Sequence, residues 1–115
     1  MSYSNMEVFL FHLKRVFKTK PGMSRKVASL AYKEAQTFKD AGQRNVFSVY
    51  FNGGTTPGEK DLVVLEWTDH SIQSIFREGN DVPEEALNIG REILELCIDN
   101  WLEINELLTP DKVVN

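Results

Sequence analysis

The chain has 115 residues, 42% of them apolar and 26% charged, and a formal net charge of −4. That composition describes one folded domain, residues 1–115, and excludes intrinsic disorder and collagen-like repeats. A chain of this length buries roughly 65% of the surface its unfolded form exposes, enough for one core without metals or disulfides. The single cysteine, Cys97, has no partner for an internal disulfide.

The charge is unevenly placed. Residues 1–57 sum to +6 and residues 58–115 to −10. Lys14, Arg15, Lys18, Lys20, Arg25 and Lys26 follow one another with no acidic residue between them. Such a cluster can collar an anion, but it falls short of a nucleic-acid footprint in a chain that is acidic overall. Two halves of opposite charge that interleave on folding, or across a dimer, explain it more simply. The apolar stretch Val8 to Phe11 is too short for a signal-peptide core or a membrane span. With one cysteine, the expectation is a cytoplasmic protein that binds neither membrane nor nucleic acid.

Glu7 to Phe17 is rich in β-branched and aromatic residues and reads as a first strand. Lys20-Pro21-Gly22 is a turn signal. Val27, Leu30, Ala31, Ala35 and Phe38 then recur at helical spacing, predicting a helix from Met23 or Ser24 to Ala41. Ser24 or the preceding turn would cap its start, and Gly42 would take the left-handed position after its end. Val46 to Phe51 and Leu62 to Trp67 read as strands joined by a glycine-rich, flexible loop. Asp69 would cap a short helix from Ser71 to Glu78, and Asp81 with Pro83 would open another.

The last segment carries two periods. Ala86, Gly90, Ile93, Cys97, Trp101, Ile104 and Leu108 keep helical spacing, while Leu102 to Leu107 alternates as a strand. A helix to about Ile98 and a strand over 100–108 is preferred, because a fourth strand protects an otherwise bare apolar edge. The order becomes β-α-β-β-α-α-β: an α+β, ferredoxin-like sandwich with an antiparallel four-stranded sheet and helices on one face. Phe9, Phe11 and Leu13 alternate with Val8 and Leu10, and Val63 and Leu65 with Leu62 and Val64. Both faces of these strands are therefore apolar, where a sheet with one wet face would alternate with polar residues. Helices can cover only one side, so a second copy of the chain is expected on the other, pairing the sheets in a homodimer.

Four segments carry a family resemblance: Val8-Phe9-Leu10-Phe11-His12-Leu13-Lys14, Lys20-Pro21-Gly22, Val49-Tyr50-Phe51, and Leu65-Glu66-Trp67-Thr68-Asp69. In these the chain resembles the dimeric α+β barrel superfamily, which includes antibiotic-biosynthesis monooxygenase-like, haem-degrading and stress-responsive proteins. The resemblance implies a homodimeric barrel and places Trp67 in a pocket between sheet and helices. The first strand carries His12 and no internal asparagine, and the helix after Trp67 offers Arg77 with His70 only at its start. The haem-degrading pattern is thus unmatched, and no cofactor is expected.

The candidate catalytic residue is His12, a mid-strand histidine able to shuttle a proton near neutral pH; the bland alternative is a hydrogen-bonded structural histidine. Trp67 would stack on a planar apolar ligand, with Tyr50 and Tyr32 beside it, although large aromatics usually serve packing. His70 beside Asp69 reads as local capping. His12, His70 and Cys97 have no metal-ligand spacing, so no metal is expected. Gly53 to Gly58 has phosphate-loop spacing but precedes a strand, and no Gly-x-Ser-x-Gly elbow occurs. Two readings stay open: a protein binding or transforming a small planar apolar metabolite, as in cofactor-independent oxygenation, or a non-catalytic dimeric binding, regulatory or stress-response module.

Overall fold

The computed structural model describes residues 9–43, 46–72 and 82–115. Its elements are β1 (Phe11–Thr19), α1 (Ser24–Asp40), β2 (Phe47–Asn52), β3 (Leu62–Asp69), α2 (Glu84–Glu95) and β4 (Cys97–Glu106), followed by a 3-10 turn at Pro110–Lys112. The strands lie in the order β2-β3-β1-β4, and every neighbouring pair is antiparallel. This is the ferredoxin-like α+β arrangement expected. The short helix anticipated from Ser71 to Glu78 lies outside the described residues.

Register divides the sheet into two faces. Leu13, Arg15 and Phe17 of β1 stand beside Trp67, Leu65 and Val63 of β3, and beside Ile104, Leu102 and Asn100 of β4. This face meets the helices: Phe17, Val63 and Leu65 join Val27, Leu30, Ala31 and Ala35 of α1 and Ile93 of α2 in one buried core. The other face carries His12, Lys14, Val16 and Lys18 from β1, since successive side chains of a strand point opposite ways. Its apolar stripe runs along its middle, where Val16, 3% exposed, pairs with Val64 and Trp101, and Leu62 adds to it opposite Lys18. The doubly apolar pattern holds in β3, with Leu62 and Val64 on the open face and Val63 and Leu65 on the other, but not along the paired length of β1; Val8 lies outside the described residues. β1 begins at Phe11, after Leu10, and the open-face positions of the paired segment are mostly charged or polar.

α1 ends as expected. Gly42 takes φ +75°, Gly42 N–H bonds Lys39 O at 3.0 Å, and Gln43 N–H bonds Phe38 O at 2.8 Å. Those two bonds form a Schellman motif that satisfies the last carbonyls. The start differs in one detail: Met23 occupies the cap without a side-chain bond, and Ser24 is already helical and buried.

Several boundaries moved, two of them for one reason. β1 runs two residues further than expected, because Thr19 pairs with Cys97 across a bulge and donates its N–H to Asp61 O at 2.8 Å. For the same reason α2 stops at Glu95 rather than near Ile98. Lys20 N–H bonds Leu96 O at 2.9 Å, so the sheet claims residues whose spacing alone continues the helix. The loop after β2 also differs from the flexible segment its composition suggests. Asn52 Oδ1 accepts from Gly54 N–H at 2.8 Å, and its Nδ2 donates to Thr56 O and Pro57 O.

Gly90 sits inside α2, where a Cβ would lie 2.8 Å from Glu34 Oε2 on α1. That oxygen ends a flexible side chain and can give way. Gly90→Ala should therefore stabilise the fold by up to about 1 kcal/mol through helix propensity, less the cost of moving Glu34. Urea denaturation checks it; a loss of stability would show that the Glu34 position is rigid.

Candidate functional site

Between the helix-facing side of the sheet and the two helices lies a cavity of about 490 Å³. Its floor is built from Leu13, Arg15 and Phe17, with Leu65 and Trp67 of β3 and Leu102 and Ile104 of β4. Its roof is Phe38 and Glu34 of α1 and one face of α2, including Ala86, Gly90 and Ile93. Leu87, Leu94 and Ile72, all exposed to a third or more, lie among the lining residues and mark where it meets solvent. The local cause is simple. α1 packs closely over β2 and β3 through small residues such as Ala31 and Ala35, whereas the sheet near β4 meets α2 sparsely, which leaves space there.

The lining is apolar apart from Arg15, Glu34 and Arg91. Arg91 Nη1 donates to Asn88 Oδ1 at 2.9 Å. Arg15 Nη2 donates to Asn100 Oδ1 at 2.8 Å, and its guanidinium carbon stands 5.9 Å from the Phe17 ring centroid. No hydroxyl, thiol or imidazole is present among the described lining residues. The arrangement can hold and orient a small molecule, and among the described lining residues Glu34 is the carboxylate.

Of the four candidate residues, Trp67 alone lines the cavity. His12 pairs with Thr68, one position along from Trp67, and so projects from the opposite face, where its Nε2 lies 2.8 Å from Glu66 Oε2. Tyr50 pairs with Val64 on that same open face and is 58% exposed. Tyr32 is on the outside of α1, 54% exposed, edge-on to Phe47 at 5.2 Å. Strand parity alone leaves His12 either in a pocket with Trp67 or on the other face of the sheet, away from it; the register puts His12 and Tyr50 on one side of the sheet and Trp67 on the other. Arg15 was overlooked, although its signal was in the sequence: a cation sharing strand parity with Leu13 and Phe17 points where they point.

The open face has its own order. Trp101 Nε1–H donates to Glu103 Oε2 at 2.7 Å, and Lys14 Nζ lies 3.6 Å from Glu103 Oε1. The indole bond and then the ammonium hold the Glu103 carboxyl below its usual range. Cys97 begins β4 half-buried, and burial pushes its thiol up, away from the reactive thiolate. Among the described residues no helix is long and apolar enough to cross a membrane.

Fold and cavity together define a ferredoxin-like α+β protein with an internal pocket. Its fold is shared with a solved structure of a NIPSNAP family protein from Agrobacterium tumefaciens strain C58: the TM-score is 0.64 over 88% of this chain and 94% of that one, at 13% identity. That likeness establishes the fold. No family profile matches the sequence, and no curated protein does.

Proposed function

We propose that this protein binds a small, planar, apolar metabolite in the cavity between sheet and helices, as a homodimer joined through the open faces of its sheets. The observation that carries the reading is the cavity itself. Its volume falls in the range of ligand sites, its walls are apolar, and an indole stands on its floor. Binding is favoured over cofactor-independent oxygenation because the described lining holds no imidazole, hydroxyl or thiol, and His12, the candidate proton shuttle, faces away from it. The dimer is supported by the stripe of Val16, Val64, Tyr50 and Trp101 along the middle of the face opposite α1 and α2. Tyr50 and Trp101 are both exposed there, as aromatics at an interface core would be in a free protomer.

The test joins both parts. Calorimetric titration with 2-naphthalenemethanol should give saturable binding, and Ala86→Leu, which fills the cavity, should weaken it at least about tenfold. Sedimentation should show a dimer that Val64→Glu converts to monomer. A wild type that binds neither this alcohol nor its carboxylate counterpart, 2-naphthoate, or an Ala86→Leu protein of unchanged affinity, overturns the pocket reading; a wild-type monomer at micromolar concentration overturns the dimer.

A further inference from the structure

The floor of the cavity holds a cation in an apolar setting. On one side of Arg15 the register places Leu65, on the other Leu102, and along its own strand Leu13 and Phe17 share its face. Its guanidinium donates to Asn100 Oδ1 and stands near the Phe17 ring, and among the described residues it makes no ion pair. The contrast with its neighbours is sharp. Lys14 and Lys18, on the open face of the same strand, each lie within 4 Å of a glutamate, Glu103 and Glu59. The cation turned toward the cavity is the one left without a carboxylate.

A half-buried guanidinium has five N–H donors and needs acceptors for them. Leaving such a charge without a counter-charge in a low-dielectric site is unfavourable, and a planar carboxylate satisfies it in bidentate fashion. Glu34 also lines the cavity, and Arg91 stands on α2 with Asn88 as its acceptor. Among the described lining residues the guanidiniums are those of Arg15 and Arg91 and the carboxylate is that of Glu34. Trp67, Phe38, Ile93 and Ile104 add aromatic and aliphatic surface to the described wall.

We infer that the cavity takes an amphipathic monoanion, a carboxylate on an apolar skeleton, with the carboxylate on the Arg15 guanidinium and the skeleton against Trp67 and Phe38. The inference rests on the pocket reading above and adds the charge of the ligand. Arg15 is then the residue that selects an acid over its neutral analogue.

Two probes of equal skeleton test it: 2-naphthoate and 2-naphthalenemethanol, each titrated calorimetrically into the full chain near neutral pH. The wild type should bind the carboxylate at least about tenfold tighter than the alcohol. Arg15→Met, which keeps an unbranched apolar stem, should abolish that preference, bringing the affinities for the two probes within about threefold of each other. Arg15→Lys, which keeps the charge but loses the fork, should fall between; it also serves if the methionine variant does not fold. Equal wild-type affinities for the two probes overturn the inference and leave the pocket standing, as does a preference that survives both substitutions. Failure of the wild type to bind either probe overturns the pocket reading and the inference with it.

Discussion

Leu65→Ala should lower the unfolding free energy by about 2–5 kcal/mol, a large share of the roughly 5–15 kcal/mol that holds a domain of this kind together. Leu65 is 2% exposed at the middle of β3, flanked by Arg15 on β1 and Val49 on β2. It belongs to the same buried cluster as Val27 and Ala31 of α1 and Ile93 of α2, so one side chain ties the sheet to both helices. It also forms part of the cavity floor. Truncation there enlarges an existing space, and the surrounding strands, held in register on both sides, cannot collapse into it. The upper half of the range is therefore expected. Leu65→Met, which keeps the volume, should cost less than about 1.5 kcal/mol. Leu102→Ala, on the same floor but half-exposed on the edge strand, should cost under about 1 kcal/mol. Urea denaturation of the three variants gives the ranking. A Leu65→Ala protein within about 1 kcal/mol of wild type would mean that the helices and sheet are not packed through this residue.

The elements were legible where one period dominated. Val27, Leu30, Ala31, Ala35 and Phe38 can all be buried together only on a helix, and Gly42 could be read as its stop because a positive φ costs glycine nothing. The sheet followed from strand count and the need to protect an edge. What stayed hidden was where one element hands over to the next. Cys97 fits the helical stripe that runs through Ile93, yet Thr19 pairs with it in the sheet, a partner 78 positions away that no local pattern displays. The site was obscured for a related reason. His12 and Trp67 look like neighbours at the ends of adjacent strands, but the one-residue register between His12↔Thr68 and Leu13↔Trp67 sends them to opposite faces. Trp67 was found through family position, whereas Arg15 needed only the parity of its own strand. Charged residues are discounted at inward positions, and that habit hides the one that a pocket keeps.

Asp61→Ala should destabilise the protein by about 2–4 kcal/mol, combining a lost buried hydrogen bond with a strained backbone. Asp61 precedes β3 with φ +60°, the non-glycine residue in the left-handed region among those described, and it is 8% exposed. Every polar group it has toward the fold is engaged. Its N–H donates to Asn52 O at 2.7 Å, and its carbonyl accepts from Thr19 N–H at 2.8 Å. Its Oδ1 accepts from Gly22 N–H at 3.1 Å. One residue thus joins the end of β2, the end of β1 and the turn that launches α1. Alanine removes the Gly22 bond and still has to adopt a positive φ, which aspartate and asparagine tolerate better. The two costs separate by substitution. Asp61→Asn keeps an acceptor oxygen and the tolerated backbone, and should fall within about 1 kcal/mol of wild type. Asp61→Gly relieves the backbone but loses the bond, and should lie between asparagine and alanine. The predicted order of stability is Asp, then Asn, Gly and Ala, read from denaturation midpoints at neutral pH. If glycine matched wild type, the side-chain bond to Gly22 would contribute nothing. If alanine matched glycine, the positive φ would carry no strain, and the loss in both would measure the side-chain bond to Gly22.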